Sequence, residues 1–424
     1  MTARHGRPRA APTVARRLPL LLCLAALCAC AGRATLRASV ADLYAGRTEA
    51  ADAGLARYGE RVGGNDRPLY LLDAAVVKQL RGEYAESNRL LEEADQRLEA
   101  AITKSVSREA ASFLINDQTR PYTGHPFEQP LISYYKALNY LLLDAPTEAA
   151  VEARRLNLRL QAVARDLTGN ELTREVAYLR HFAGIAYEAA GETNDAMVSY
   201  RLALAAYEHA GTPPADLVAA ALRLARRLGL ADEAAEIAAR HPGIDPAPEG
   251  GEAVVVVHAG RIPYRRTESV IVPGGQGFPV RLSLPGLTGG GGGRRRVEVR
   301  TSQATVAVPV AVSLAAAARA DLAAARGRDM GRLVARAVAK EVAARKARRD
   351  GGEVAGLLVR VVNVATEVAD TRSWEALPAT IYLARLPLSP GSATVDVAVD
   401  GHPVASRQLA VEAGKFYLVK TRLF

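Results

Sequence analysis

Residues 115–135, INDQTRPYTGHPFEQPLISYY, hold a dense group of side chains that could do chemistry. Asp117, His125 and Glu128 could act as a general acid and base, because carboxylates and imidazole are common proton-transfer groups. Three prolines and one glycine fall among them. Proline removes a backbone donor and breaks a helix, so the sequence predicts a rigid loop between helices.

The same loop could instead bind a partner or bridge two helices. In the binding interpretation, Tyr122 and Phe127 are anchors and Arg120 and Glu128 are orienting charges. In the bridging interpretation, Asn116 and Asp117 cap a helix end while Arg120 pairs with Glu128. Insertions in repeat arrays often collect on the binding face, so we rank binding first, bridging second and catalysis last.

A second polar motif, ADTRSWEALP, contains the only tryptophan of the chain, Trp374. A single tryptophan usually fills a core or an interdomain gap, and Pro378 indicates that a strand begins just after it. The sequence does not assign Arg372 to the core, so this residue is kept as a candidate for partner binding. The predicted partner-binding residues are Asn116, Asp117, Arg120, Tyr122, His125, Phe127, Glu128 and Arg372.

Other catalytic and metal-binding patterns are missing from the sequence. There is no Gly-x-Ser-x-Gly and no His-Glu-x-x-His, and the histidines lack metal-ligand spacing. The glycine run TGGGGGRRR does not end in Lys-Ser/Thr, as a phosphate loop would. We therefore expect no catalytic residue, no metal and no cofactor.

The N-terminus reads as a secretory signal peptide. Five arginines and no acid precede a short apolar run, residues 18–30, that is too brief to span a membrane as a helix. The run ends in LCAC, which resembles the bacterial lipobox. This resemblance implies cleavage after residue 29 and acylation of Cys30. The alternative is an ordinary signal peptide cut after an alanine, with Cys30 incidental.

Removal of residues 1–29 changes the charge and the cysteine count. The formal net charge of +10 loses five arginines and becomes +5. This mild excess favours solubility and does not predict a nucleic-acid partner. Cys23 and Cys28 are removed, so a lipidated Cys30 leaves no thiol for a disulfide or a nucleophile. Because Ala31 and not aspartate follows the cysteine, resemblance to sorted lipoproteins implies the periplasmic side of the outer membrane.

In the first half of the processed chain, residues 30–245, apolar residues recur with the period of an α-helix. Its clearest unit, FAGIAYEAAGETNDAMVSYRLAL at 182–204, resembles a tetratricopeptide repeat. Gly184 and Ala196 are predicted to face each other and let two antiparallel helices approach closely, and Gly191 would end the first helix. Weaker units place Gly82, Asp144 and Gly229 at equivalent turns. The alternative is a generic helical bundle.

Residues 246–424 follow a boundary rich in proline and glycine, and their apolar residues recur with a different period. Alternating apolar runs predict strands from 253 to 313. A basic amphipathic helix, about residues 314–349, interrupts them, and strands are expected to resume at 356–365. We expect the helix to pack on a sheet in preference to resting on lipid. Its apolar stripe comprises Leu333, Val334, Ala337, Val338 and Val342. The last 37 residues resemble a small PEGA-type β-meander.

The combination of the 116–141 stretch, the repeats and the 369–391 stretch resembles a group of uncharacterised proteobacterial lipoproteins. The resemblance implies the cell envelope and no particular activity. The predicted fold class is α+β multidomain: a tetratricopeptide-like array followed by a β-rich domain with an inserted helix. The predicted function is a lipid-anchored periplasmic scaffold or adaptor for envelope proteins. The alternative is an enzyme acting on peptidoglycan or another envelope polymer at the 116–129 loop.

Overall fold

Paired helices make up the first half of the protein. The computed structural model describes residues 34–112, 120–163, 169–248, 250–273, 279–292, 295–302, 304–366 and 369–424. The signal peptide, Cys30, Asn116 and Asp117 lie outside these residues. The helices of the array are α1 (34–44), α2 (Thr48–Gly59), α3 (Arg67–Leu80), α4 (Tyr84–Ser112), α5 (Gln129–Leu142), α6 (Pro146–Ala162), α7 (Asn170–Ala189), α8 (Thr193–Ala210), α9 (Ala215–Arg227) and α10 (Ala231–Arg240).

Each predicted turn of the array is a left-handed residue between two antiparallel helices. Gly82 has a φ of 78° between α3 and α4, Gly191 has 77° between α7 and α8, and Gly229 has 72° between α9 and α10. Asp144 has a φ of 57° between α5 and α6. Aspartate tolerates this conformation better than most residues, which explains how it replaces glycine here. The four predicted helix pairs are confirmed.

Gly184 lets the α7–α8 pair pack closely. A Cβ at this position would overlap the Tyr200 ring, with Cζ only 3.1 Å away. Ala196 is fully buried in the same pair. The sequence predicted that Gly184 would face Ala196, but the group opposite the glycine is the aromatic ring. The close approach itself is confirmed.

In the described part of the second half there are two four-stranded sheets, one hairpin and a long helix. The first sheet has the order β10-β1-β7-β6, the second has the order β5-β4-β8-β9, and β2 pairs only with β3. The strands are β1 (Gly251–Ala259), β2 (Tyr264–Pro273), β3 (Pro279–Thr288), β4 (Val297–Arg300), β5 (Thr305–Val308), β6 (Val310–Val312), β7 (Thr380–Leu388), β8 (Gly391–Val399), β9 (His402–Val411) and β10 (Phe416–Leu423).

Strand β1 is buried on both faces because it lies between the helices and the second sheet. Val254 and Val256 belong to the hydrophobic core that the strand shares with the helical array. Val255 and Val257 belong to the core between the two sheets. A strand covered on both faces reads as a continuous apolar run, which accounts for AVVVV in the sequence. The helical and β halves therefore share one core.

Two predictions for the second half are wrong. Residues 356–365 belong to helix α11 (Leu314–Thr366) and form no strand. A short, mostly apolar run, here interrupted by Arg360 and Asn363, suits a helix as well as a strand, so its period could not separate the two. The tail is not a continuous meander either: β8 and β9 form a hairpin, but β10 pairs in parallel with β1 in the other sheet.

Helix α11 has one non-helical residue, Gly352, with φ 82°. A Cβ at Gly356 would lie 2.7 Å from Cβ of Arg348, so the chain reverses direction at this break. The expectation that the apolar stripe packs on a sheet is also wrong in part. Leu333 is buried, but Val334, Val338 and Val342 are exposed. No helix among the described residues is long and apolar enough to cross a membrane.

Candidate functional site

The predicted loop connects α4 to α5 of the helical array and contacts residues 372–374 of the β half. Its described part, residues 120–128, precedes α5, and the Tyr122 N–H donates to the carbonyl of Asn65 at 2.9 Å. Gly124 has a φ of 74° and allows the chain to turn. The Glu128 N–H then donates to the His125 carbonyl at 2.8 Å, and Pro130 occupies the first turn of α5. Proline suits that position because its missing N–H has no helical partner there.

Glu128 joins the loop to the segment that contains Trp374. Its side chain is buried and accepts hydrogen bonds from the Tyr122 hydroxyl, from the His125 N–H at 3.0 Å and from the Trp374 N–H at 2.8 Å. Burial raises the pKa of Glu128 to about 7, although the three donors favour the ionised form. The carboxyl group therefore serves as a link between two chain segments.

Arg372 fixes the same junction from the other side. Its guanidinium donates to Asp370 at 2.7 and 2.8 Å, to the Arg120 carbonyl at 2.7 Å and to Asp66 at 3.3 Å. It also lies 5.6 Å from the centre of the Tyr122 ring. Arg372 is 3% exposed. These contacts make it part of the junction and leave little of its surface for an external partner.

His125 is held as a neutral donor. Its Nε2 lies 2.9 Å from the Arg372 carbonyl, and a carbonyl can only accept, so Nε2 carries the proton. Burial and the nearby Arg265 lower the pKa of His125 to about 3. Asp321 of α11 lies 4.0 Å from Nδ1 and accepts a hydrogen bond from Arg265 at 3.0 Å. The acid beside this histidine thus comes from the β half of the sequence.

A further acid, Glu175 of α7, lies within the buried region. Its side chain is 0% exposed, and neither carboxyl oxygen has a hydrogen-bond partner among the described residues. Burial, followed by repulsion from Asp321 and Glu128, raises its pKa well above the ordinary value. Burial thus favours the protonated, neutral form of Glu175, because an unpaired buried charge is costly.

The cavity described beside the loop is small. The cavity that Arg372 lines, between α1, α3 and residues 371–375, has a volume of about 10 Å³, which is the space of one water. A larger cavity of about 140 Å³ is lined by other residues, among them Ile185, Val254 and Phe416. Neither cavity joins the loop to the acids in a pocket that an envelope polymer could enter. Among the described residues, no group of His, Cys, Asp or Glu could hold a metal ion.

Trp374 is a core residue, as predicted. Its side chain is 0% exposed, and its ring lies 5.4 Å from that of Tyr135 on α5. Two residues later, the Ala376 N–H donates to Asp73 of α3 at 2.9 Å. The tryptophan fills the space between two helices of the array and the start of β7.

A second buried polar cluster, centred on Arg385 of β7, was not predicted. Arg385 donates to Glu252 at 2.6 and 2.9 Å, to Glu188 at 2.9 Å and to the Tyr200 hydroxyl at 2.6 Å. Arg223 of α9 donates to Glu188 at 2.6 Å, so two guanidinium groups share two carboxylates. The available signal was one arginine within the apolar strand sequence IYLARLPL. A charge at such a position needs a buried partner.

Aromatic side chains make a third link between the halves. The Tyr178 hydroxyl lies 2.8 Å from that of Tyr134, which lies 2.8 Å from Nε2 of His258 on β1. Burial lowers the pKa of His258 well below its ordinary value, which favours the neutral ring. The chain of donors satisfies three buried polar groups at once.

These links cover one side of the helical array. Asp73 on α3, Tyr134 on α5, Glu188 on α7 and Asp216 on α9 each bond to the β half. The four residues lie on the first helices of four successive pairs. Helix-repeat arrays use an extended concave surface for binding, and in this protein its own β half occupies the side formed by the first helices.

The predicted site residues come together, but they do not form an exposed surface. Arg120, Tyr122, His125, Phe127, Glu128 and Arg372 all belong to the junction between the halves, whereas Asn116 and Asp117 lie outside the described residues. Tyr122 and Phe127 are each only 3% exposed, so the expectation of exposed anchors is wrong. Their rings gain more by burial against the chain's own β half than by facing water. The geometry favours a structural role for the described part of the loop, but the predicted Arg120–Glu128 pair is not formed, since Glu128 bonds to Tyr122, His125 and Trp374.

No protein family and no curated protein matches the chain. Similar solved structures include MamA 41-end from Desulfovibrio magneticus RS-1, at 13% identity and a TM-score of 0.33, covering 49% of this chain and 92% of that one. A putative kinesin light chain with TPR-like repeats from Podosopora anserina is 15% identical, with a TM-score of 0.34, over 49% of this chain and 91% of that one. Pseudomonas aeruginosa pilF is 18% identical, with a TM-score of 0.23, over 50% of this chain and 93% of that one. Scores of this size support no further conclusion, and the helix-pair architecture rests on the pairs themselves.

Proposed function

We propose that the protein is a scaffold or adaptor, anchored by a lipid on Cys30 to the periplasmic side of the outer membrane. It binds protein partners of the cell envelope through the outward side of its helical array. The observation that carries this proposal is the division of the array into two sides. The first helices are covered by the chain's own β half, and the second helices present apolar side chains to solvent.

The outward side contains what we call the outer patch: Val151 and Leu158 on α6, and Val198 and Leu202 on α8. These side chains are 44%, 65%, 49% and 42% exposed. Residues seven or four positions apart share a helix face. The two helices are neighbours, since Asn157 donates to Ser199 at 3.4 Å and Arg154 pairs with Glu192. Single exposed apolar residues are ordinary, but four on adjacent helices, rimmed by charges, suit a protein interface.

The lipid anchor is supported by the sequence of residues 1–31 alone. Labelling with a palmitate analogue tests it: the wild-type chain is expected to be labelled, and Cys30→Ala is not. Equal labelling of the two would contradict acylation at this cysteine. A density gradient then tests the destination, and recovery only with the inner membrane would overturn the outer-membrane assignment.

The outer patch is tested by partner recovery from crosslinked envelopes. Leu158→Glu/Val198→Glu places two charges on the patch and is expected to remove the partners that the wild type recovers, with the melting temperature unchanged. Val306→Glu/Val404→Glu is the matched control, because these valines are 39% and 40% exposed on strands outside the array. It should retain the partners. Retention by both variants would show that the patch is not the interface.

A further inference from the structure

Helix α11 has an apolar outer side with no cover among the described residues. Val334, Val338 and Val342 are 52%, 61% and 61% exposed. At 100° per residue, they lie between about 100° and 180° around the helix from Leu333, which is 4% exposed. The helix therefore packs on one side and presents a valine row to solvent on the other.

The flanks of this valine row are strongly basic. From Arg326 to Arg349 the chain has nine basic and two acidic residues, a net charge of +7. Arg332, Arg345 and Lys346 are among the exposed basic residues of this segment. Arginine and lysine beside an exposed apolar row fit a surface that is both apolar and anionic.

The β2–β3 hairpin, which lies beside α11, also exposes aliphatic side chains. Strand β3 packs against α11, and its partner β2 exposes Val270 and Ile271 by 63% and 66%. An aliphatic pair this exposed on a hairpin is unusual for a surface that meets only water. We call the hairpin and α11 together the basic arm.

The base of the basic arm lies close to the proposed lipid. Arg37 of α1 stacks 5.2 Å from the centre of the Tyr264 ring, at the start of β2, and donates to the Arg265 carbonyl at 3.2 Å. Cys30 precedes the first residue of α1 by four positions, and four residues can span at most about 14 Å. An acyl chain on Cys30 would hold the start of α1, and with it the base of the arm, near the bilayer.

We propose that the basic arm lies on the surface of a bilayer that contains anionic lipids. The valine row enters the interfacial layer, and the arginines and lysines contact lipid phosphates. The arm then orients the protein on the membrane so that the outer patch is free for partners. Its location near the lipid rests on the proposed anchor, but its affinity for lipid does not.

The test separates the arm from the anchor by using the chain from residue 30 onward with Cys30→Ala. This protein is sedimented with vesicles of phosphatidylethanolamine plus phosphatidylglycerol, and with vesicles of phosphatidylcholine alone. Binding to the anionic vesicles only, weakened by added salt, is expected. Val334→Ser/Val338→Ser/Val342→Ser should bind at least about tenfold more weakly, equivalent to about 1.4 kcal/mol. Val306→Ser/Val404→Ser is the matched control and should bind normally.

Three results would overturn the proposal. The first is a Cys30→Ala chain that stays in the supernatant with anionic vesicles. The second is equal binding by the triple-serine variant and its control, with melting temperatures unchanged. The third is a dimer in solution that the triple-serine variant makes monomeric, because a second copy would then cover the valine row. Palmitate labelling of the wild type is independent of all three, so loss of the arm and loss of the anchor are distinguishable.

Discussion

Gly184→Ala should destabilise the α7–α8 pair. The new methyl group would overlap Cδ1 and Cε1 of the Tyr200 ring and lie 3.1 Å from Cζ, whereas non-bonded carbons prefer about 3.5–4.0 Å. The ring has little freedom to move away. Its hydroxyl donates to Glu188 at 2.7 Å and accepts from Arg385 at 2.6 Å, and both partners are buried.

The expected cost follows from these contacts. Overpacking a core costs about 1–3 kcal/mol, and stretching a hydrogen bond to a charged group costs up to about 1.5–3 kcal/mol more. Alanine recovers up to about 1 kcal/mol over glycine in a helix. We therefore expect the free energy of unfolding to fall by about 2–4 kcal/mol, a large part of the ~5–15 kcal/mol that is usual for a domain.

Urea denaturation measures this change as a lower midpoint with an unchanged slope. Gly327→Ala is the matched control, because this helical glycine has no atom within 4 Å of an added Cβ. It should be neutral or slightly stabilising. On a Tyr200→Ala background, Gly184→Ala should cost little, since the ring is gone. A Gly184→Ala protein within about 0.5 kcal/mol of the wild type would refute the overpacking argument.

Three other predictions concern the junction between the halves. Arg385→Met leaves two buried carboxylates, Glu188 and Glu252, with only Arg223 as their cation and should cost about 3–5 kcal/mol in urea denaturation. Arg89→Met, at an exposed ion pair, should cost less than about 1 kcal/mol. Tyr122→Ala should lower the free energy of unfolding by about 3–5 kcal/mol, and an unchanged stability would restore the loop as a binding surface. The raised pKa of Glu128, about 7 against an ordinary 4.5, means that the fold favours the protonated acid. The stability that this raised pKa contributes to the fold is fully present below pH 4.5 and is lost as the pH rises through about 7. Glu128→Gln should therefore weaken the pH dependence of the free energy of unfolding between about pH 5 and pH 8.

The extent to which the sequence predicted the candidate site can be judged from three residues. Trp374 was placed correctly, since a large apolar ring is rarely left outside a core. Tyr122 was predicted to anchor a partner but is buried, because a loop rich in polar residues does not reveal which of its side chains another segment covers. Arg385 was missed, because its partners Glu188 and Glu252 are far from it in the chain and no local pattern relates them.

Local physics allowed the sequence alone to determine the helix pairs, their turn residues and most strands. A 3.6-residue period, a residue at positive φ between two helices and an alternating strand are all set within a few neighbouring positions. Only the tertiary structure decided which side of the array is covered, where β10 pairs and which face of α11 meets solvent. Those outcomes depend on contacts between segments distant in the chain, such as Glu128 with Trp374 and β1 with β10. Burial in such contacts is a property of the assembled fold, and no window of sequence contains both partners.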